Sequence, residues 1–207
     1  MKKSKVMLFG AMALTAGLAL AACGSSQSSN ADKTYSYIFV NNPDTLDYIT
    51  STRDSTSSIT TNLIDGLLEN DQYGNLIPSM AESWTVSKDG LTYTYKIRQG
   101  AKWYTSEGEE YADVTAHDFV TGLKYAADKK AENLYLVQDS IKGLADYVEG
   151  KSSDFGTVGV KAVDDYTLQY TLNQPETYWN SKTTASILSP VNEAFLKSKG
   201  CLLYTSP

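Results

Sequence analysis

The beginning of the chain decides which residues are available to fold. A stretch of apolar and small residues over Val6–Leu20 follows a positive segment that contains Lys2, Lys3 and Lys5. The stretch has the length of a signal-peptide core and is shorter than the ~20 residues that a membrane-spanning helix needs. We therefore expect residues 1–22 to be a signal peptide, so that 185 of the 207 residues remain to fold.

A cysteine directly follows the expected cleavage point. Leu20-Ala21-Ala22-Cys23 resembles the lipobox of bacterial lipoproteins, in which the thiol takes a diacylglyceryl group and cleavage leaves it as the lipidated N-terminus. Acyl chains contribute ~0.8 kcal/mol per buried CH₂ group, so two or three chains hold a protein firmly at a membrane. We interpret Cys23 as a lipid attachment site. The alternative is an ordinary secreted protein with a cysteine at this position by chance.

Charge and rare residues exclude several classes of function. Removal of the expected signal peptide takes away three lysines, so the formal net charge falls from −6 for the whole chain to −9 for the mature part. This acidic balance argues against binding nucleic acid or anionic lipid headgroups. With Cys23 assigned to lipid, Cys201 has no partner, so neither a disulfide framework nor a cysteine metal site is available. His117 is the single histidine, which excludes a histidine cluster within this chain. We expect no metal, no cofactor and no nucleic-acid partner.

Both ends of the remaining chain are expected to lie outside the fold. Residues 23–33 are rich in serine, asparagine and glutamine, which is typical of a flexible tether. Residues 201–207 resemble the translation of a sequencing adaptor, so we expect the natural chain to diverge at about Gly200. A genuine short tail is the alternative. The folded lobe is expected to span residues 34–200.

The beginning of that lobe, up to about residue 69, shows patterns for a strand, a loop and a helix. Aromatic and β-branched residues predict a strand at Tyr35–Val40. The polar stretch Tyr48–Ser58 is predicted to be a loop. Apolar residues then recur on one helical face from Ile59 to Leu68, which predicts a helix over about 58–69.

A hairpin follows, and its return strand alternates clearly. We predict strands at Glu82–Val86 and Leu91–Arg98 around a turn at Ser87–Gly90. Tyr93, Tyr95 and Ile97 alternate with polar residues, so one face is expected to pack and the other to contact water. We expect Trp84 and Trp103, which flank this hairpin, to pack beneath it in the core.

The remaining elements mix helices and strands without strict alternation. Thr115 and Asp118 form a capping-box pattern, which predicts a helix that continues to about Lys130. Further predicted elements are a helix near Ser140–Val148, strands at Val158–Val163 and Tyr166–Leu172, and a final helix at Asn192–Lys199. This order indicates an α/β fold of the mixed α+β kind.

The patterns that could carry catalysis are incomplete. Gly150-Lys151-Ser152 resembles the end of a phosphate-binding loop, but Ala145 occupies the position that requires glycine. The run that contains Glu107, Glu109 and Glu110 is typical of a solvated loop, and His117 has no nucleophile marked near it. We do not expect an enzyme.

Several segments in a fixed order resemble the oligopeptide-binding family of solute-binding proteins, the extracytoplasmic receptors of ATP-driven importers. They are Asp44–Asp47, Asp65–Leu68, Pro78–Trp84, Asp89–Trp103, Val114–Val120 and Val160–Leu168. A further segment, Leu172–Thr184, is similar to the oligopeptide-binding lipoproteins of streptococci. Each motif is weak alone, but the order behind a lipobox is specific, and the resemblance covers roughly Tyr35 to Gly200.

The resemblance implies the N-terminal part of a two-lobed periplasmic-binding-protein-like fold of the large peptide-binding type, with an incomplete subdomain at about 59–165. It implies a lipid-anchored receptor on the cell membrane of a Gram-positive bacterium, which captures short peptides for the permease and ATPase subunits of an ABC importer. A surface lipoprotein that acts as a peptide-signal sensor or an adhesin is the alternative. Capture of nickel or haem is disfavoured by the single histidine and the absence of a spare cysteine.

The resemblance also implies where the ligand binds. In the family, the loop after the first strand lies along the peptide backbone, which places Thr52, Asp54 and Ser55 at the ligand, with Tyr135 as a further candidate. Ordinary solvated positions are the alternative for all four. Two departures from the family lie in predicted loops: Tyr48 replaces a common proline, and the segment 104–110 is longer than usual.

Overall fold

The computed structural model describes Ile38 and residues 41–198. The expected signal peptide, Cys23, the tether and the expected tail at 201–207 lie outside the described residues. The same holds for the strand predicted at Tyr35–Val40 apart from Ile38.

The described residues form short helices and strands in mixed order. The strands are β1 (Leu68–Asn70), β2 (Leu76–Pro78), β3 (Ala81–Val86), β4 (Thr92–Ile97), β5 (Lys102–Tyr104), β6 (Glu110–Asp113), β7 (Val160–Asp164) and β8 (Thr167–Thr171). The helices are α1 (Asp54–Thr60), α2 (Ala116–Lys129), α3 (Leu144–Val148), α4 (Trp179–Lys182) and α5 (Glu193–Ser198). Short 3₁₀ helices lie at Glu132–Leu136, Phe155–Thr157 and Ser186–Leu188. None of the helices in this described part is long and apolar enough to cross a membrane.

The largest sheet has four antiparallel strands in the order β3-β4-β8-β7, and two-stranded sheets pair β1 with β2 and β5 with β6. The predicted hairpin is confirmed, since β3 and β4 pair in antiparallel register with Trp84 opposite Tyr95. Gly90 has a φ of 72° in the connecting turn, a conformation that glycine adopts without a steric penalty. The strands predicted on either side of residues 164 and 165 are confirmed as β7 and β8.

The core lies between this sheet and helix α2, which packs against β7 and β8. Strand β4 buries Tyr93, Tyr95 and Ile97, as its alternation predicts. Tyr95 contacts Tyr170 edge to face with ring centroids 6.2 Å apart, and Tyr170 contacts Trp179 at 5.3 Å. Burial raises the pKa of the Tyr95 and Tyr170 phenols well above the ordinary value.

The tryptophan at the centre of the core is Trp179, which is fully buried. Trp84 and Trp103 pack against the core but are only half-buried, so the prediction that they are core residues is correct only in part. Trp84 lies on β3, an edge strand of the sheet that pairs with β4 alone. A side chain on an edge strand has fewer neighbours to cover it, which explains its partial exposure.

Helix α2 begins and ends as predicted. The carboxylate of Asp118 accepts the amide of Thr115 at 2.8 Å, which is one half of the capping box. The helix ends at Lys129, and Lys130 adopts a left-handed conformation with a φ of 53°. The final predicted helix is confirmed at Glu193–Ser198. The helix predicted near 140–148 is shorter, because Gly143 at a φ of 73° directly precedes its first turn.

The loop and helix predicted between residues 48 and 69 are placed differently. Helix α1 begins at Asp54, inside the predicted loop, and Leu68 belongs to strand β1 instead of a helix. Hydroxyl groups bond back to the carbonyl four residues earlier at Thr60 (3.1 Å) and Thr61 (2.7 Å). Such bonds compete with the backbone and slightly destabilise or bend a helix, which fits the end of α1 at Thr60, after Ile59 but before the other apolar residues of the pattern.

Candidate functional site

The segment from residue 44 to residue 53, here called the Asp47 loop, folds around one carboxylate. Oδ1 of Asp47 accepts the amides of Ile49 and Thr50, both at 3.1 Å, and Oδ2 accepts the hydroxyl of Thr50 at 2.6 Å. This is an Asx-turn arrangement, in which an aspartate side chain replaces a backbone acceptor. The loop therefore has a defined shape although it contains neither helix nor strand.

Two tyrosines connect the Asp47 loop to the rest of the molecule. The hydroxyl of Tyr48 donates to the carbonyl of Pro190 at 2.6 Å, and the hydroxyl of Tyr125 in α2 donates to Oδ2 of Asp47 at 2.9 Å. Both tyrosines are buried, with 7% and 6% of their surface exposed. Burial, reinforced by the nearby Asp47 carboxylate, raises the pKa of Tyr48. Tyr48, which replaces the common proline, thus ties the loop to the core.

The far end of the loop contacts the turn that follows helix α2. The hydroxyl of Thr52 donates to Oε2 of Glu132 at 3.0 Å. Glu132 opens the 3₁₀ helix Glu132–Leu136, which begins two residues after the left-handed Lys130. The loop and this 3₁₀ helix therefore lie side by side, although 80 residues separate Thr52 from Glu132.

Two of the four predicted ligand residues, Thr52 and Tyr135, lie on these two neighbouring segments. Thr52 and Asp54 are exposed, Ser55 is half-buried, and Tyr135 in the 3₁₀ helix is 74% exposed. Asp54 and Ser55 belong to the first turn of α1 and not to a loop. The structure thus brings Thr52 to the segment that carries Tyr135. A role of these four residues in ligand binding stays a prediction.

The exposed face of the loop is polar, and its acidic side chains outnumber its one basic side chain, Arg53. Arg53 pairs with Asp44 at 3.0 Å, and both side chains are more than half exposed. A surface pair of this kind contributes little to stability, about 0–1 kcal/mol. The face therefore offers hydroxyl groups and carboxylates, which can hydrogen-bond an extended chain.

Sequence reasoning missed three residues that shape this face: Asp47, Tyr125 and Glu132. A local signal existed for Asp47, since an aspartate just before a turn commonly bonds the amides two or three residues later. Tyr125 lies 78 residues from Asp47, so no local pattern could connect the two.

The other candidate chemical groups are exposed on the surface. His117 is exposed and pairs with Asp165 at 3.3 Å. Glu107, Glu109 and Glu110 are exposed at the β5–β6 hairpin, as expected. Within residues 41–198, we find no group of three or more histidine, cysteine or acidic residues placed to hold a metal ion.

Comparison with known proteins gives this fold a family. The model of the bacterial extracellular solute-binding proteins, family 5 Middle, matches residues 75–201, which is more than half of the chain. The chain belongs to this family. The resemblance found in the sequence is thereby confirmed.

Family 5 relatives from streptococci are very similar to the chain. The oligopeptide-binding protein SarA of Streptococcus gordonii is 64% identical over 97% of this chain and 31% of SarA. The oligopeptide-binding protein AliB of Streptococcus pneumoniae is 66% identical over 96% of this chain and 30% of AliB. The chain thus spans about a third of the length of these relatives, all of which are named as binding proteins.

Solved structures of the family confirm the mixed α/β fold. Listeria monocytogenes OppA bound to peptide matches with a TM-score of 0.68 and 34% identity, over 75% of this chain and 30% of OppA. The pheromone receptor PrgZ, described with its mode of peptide binding, matches with a TM-score of 0.67 and 30% identity, over 75% of this chain and 30% of PrgZ.

Proposed function

We propose that the chain is part of an extracytoplasmic receptor that captures oligopeptides and delivers them to an ABC importer. The observation that carries this proposal is the 64% identity to an oligopeptide-binding protein over 97% of the chain. The peptide-bound OppA structure at 34% identity supports the same ligand class.

The polar face of the Asp47 loop suits this ligand. An extended peptide carries free N–H and C=O groups along its backbone, and a receptor that pairs with them gains affinity that depends little on side-chain identity. Thr52, Asp54, Ser55 and Tyr135 would contact the ligand on one side. A second lobe, closing by a hinge motion, would cover the other side. The closed receptor would then engage the permease subunits, while the ATPase subunits hydrolyse ATP.

The ligand class can be tested without choosing a ligand beforehand. The full-length protein is purified under non-denaturing conditions and analysed by native mass spectrometry. We expect a heterogeneous set of mass additions, which sequencing identifies as short peptides after the protein is denatured. A protein that carries no peptide, and that gains none when incubated with a peptide mixture, would contradict the proposal.

We further propose that the receptor is held at the cell membrane by lipid on Cys23. The support is the Leu20-Ala21-Ala22-Cys23 pattern behind a signal-peptide core. Cells fed a fatty-acid analogue should label the wild-type protein and the control Ser25→Ala, whereas Cys23→Ser should remain unlabelled. Equal labelling of Cys23→Ser and wild type would contradict lipid attachment at this residue.

A second candidate function is a sensor of peptide signals. The observation that favours it is the match to the pheromone receptor PrgZ, at 30% identity and a TM-score of 0.67. The two functions differ in ligand breadth. An import receptor should support growth of a peptide-requiring strain on many unrelated peptides, whereas a sensor should bind one peptide far more tightly than scrambled versions of it.

A further inference from the structure

We propose that Tyr125 is a positioning residue for the peptide: its hydroxyl group, acting through Asp47, holds the Asp47 loop in the shape that the ligand meets. The inference rests on the proposed peptide-binding function and adds a residue that lies away from the four predicted ligand contacts. Its basis is the 2.9 Å hydrogen bond from the Tyr125 hydroxyl to Oδ2 of Asp47.

Tyr125 lies on the part of the molecule best suited to act as a fixed support. Helix α2 is the longest described helix, its first turn is held by the Asp118 carboxylate, and it packs against strands β7 and β8 of the large sheet. Only 6% of the Tyr125 surface is exposed. The hydroxyl group is therefore presented to the loop by a side chain that packing holds in place.

The Asp47 carboxylate connects the fixed Tyr125 hydroxyl to the loop backbone. One oxygen contacts Tyr125 and the Thr50 hydroxyl, while the other accepts the amides of Ile49 and Thr50. Without the phenol oxygen, the carboxylate still folds the loop upon itself but no longer ties that fold to helix α2. The loop then gains freedom, which peptide binding must remove at a cost in affinity.

The exposed end of the loop depends on the same support. Thr52 contacts Glu132 through side chains that are both exposed, and contacts between exposed side chains are weak. The Tyr48–Pro190 hydrogen bond is a second buried tie, directly next to Asp47. Tyr125 and Tyr48 thus hold the base of the loop, and Thr52 extends from that base toward the solvent, two residues before the first turn of α1.

The test is Tyr125→Phe in the full-length protein, which removes one oxygen and keeps the ring. We expect affinity for a peptide identified in the wild-type protein to fall roughly three- to tenfold, the usual effect of losing a hydrogen bond such as that to Asp47. We also expect amide hydrogen exchange to speed up at residues 49–52. The matched control is Tyr147→Phe, which removes a hydroxyl group that donates to Asp128 of the same helix at 2.6 Å and accepts the Lys124 ammonium at 3.4 Å. Its peptide affinity and loop exchange should equal those of wild type.

Each outcome bears on a different claim. Unchanged affinity and unchanged exchange in Tyr125→Phe would overturn the positioning role while leaving peptide binding intact. Equal losses in both variants would also overturn it, since a general weakening of helix α2 would then be the cause. If the wild-type protein binds no peptide, the proposed function fails, and the exchange comparison alone still decides whether Tyr125 orders the loop. If Tyr125→Phe does not fold, Asp47→Asn replaces it as the test variant. It substitutes an amide group for the carboxylate that accepts the Tyr125 hydroxyl, and it should show the same faster amide exchange.

Discussion

The indole N–H of Trp103 donates to Oδ2 of Asp118 at 3.2 Å, and the same oxygen accepts the Thr115 amide at 2.8 Å. One carboxylate oxygen thus caps helix α2 and connects it to the β5–β6 hairpin. Burial raises the pKa of Asp118 above its ordinary value of 3.8, and the two hydrogen bonds oppose this rise without cancelling it.

This raised pKa predicts how stability depends on pH. A carboxyl group with a raised folded pKa favours folding in its protonated form, a contribution that is lost as pH rises through the folded pKa. Asp118→Asn keeps an acceptor oxygen but does not titrate. The free energy of unfolding of wild type, relative to this variant, should therefore fall as pH rises above 3.8 through the folded pKa. Urea unfolding of both proteins at several pH values measures this difference, and a constant or increasing difference would contradict the assignment.

Trp179 and Trp84 differ in burial, so replacing each by alanine should lower the free energy of unfolding by different amounts. Trp179 is fully buried between Tyr93 and Tyr170, with ring centroids 6.1 and 5.3 Å away. Trp179→Ala should cost about 3–5 kcal/mol, the usual effect of emptying a large buried site. Trp84→Ala should cost clearly less, because its ring is only half-buried. Urea unfolding of both variants gives the comparison, and a larger loss for Trp84 would show that the core is assigned wrongly.

The end of helix α2 offers a stabilising substitution. Lys130 has a φ of 53°, which costs a residue with a side chain roughly 1–2 kcal/mol but costs glycine nothing. Lys130→Gly should therefore raise the thermal midpoint of unfolding. Lys129→Gly is the matched control, since this neighbour is still helical and glycine there should be destabilising by up to ~1 kcal/mol. Equal effects of the two substitutions would mean that Lys130 does not adopt the left-handed conformation.

Gly122 should resist a substitution that helix propensity favours. Alanine stabilises a helix interior by ~1 kcal/mol relative to glycine. A Cβ atom at Gly122 would, however, lie 2.2 Å from the backbone oxygen of Ser189, which cannot rotate away as a side chain could. We expect Gly122→Ala to lower the thermal midpoint, whereas Thr121→Ala in the same helix should change it little. A rise in the midpoint for Gly122→Ala would show that helix α2 and residue 189 are farther apart.

Local patterns predicted the parts of the fold that local interactions build. The β3–β4 hairpin follows from alternation and a glycine turn, and helix α2 follows from the pair Thr115 and Asp118. Helix α1 was misplaced because serine and threonine side chains bond their own helix carbonyls, which sequence periodicity does not reveal. The importance of Trp179 was missed because its partners lie on strands β4 and β8.

The candidate site was predictable only in outline. The resemblance pointed to Thr52, Asp54, Ser55 and Tyr135, but it did not show what gives their segment its shape. The contacts that do so join residues 78 and 142 positions apart, Asp47 with Tyr125 and Tyr48 with Pro190. Pairs so distant in sequence become neighbours only through the tertiary fold.

The central claim, that a peptide backbone binds along the Asp47 loop and the first turn of α1, is tested most directly by Asp54→Pro. Position 54 tolerates proline, because it is the first helical residue and Arg53 before it is extended, with φ and ψ of −84° and 134°. The substitution removes an amide that has no acceptor within the helix. Calorimetric titration of peptide into the full-length protein should show binding to wild type and a loss of about 1 kcal/mol or more in Asp54→Pro. Unchanged affinity in a correctly folded variant would contradict this placement of the site.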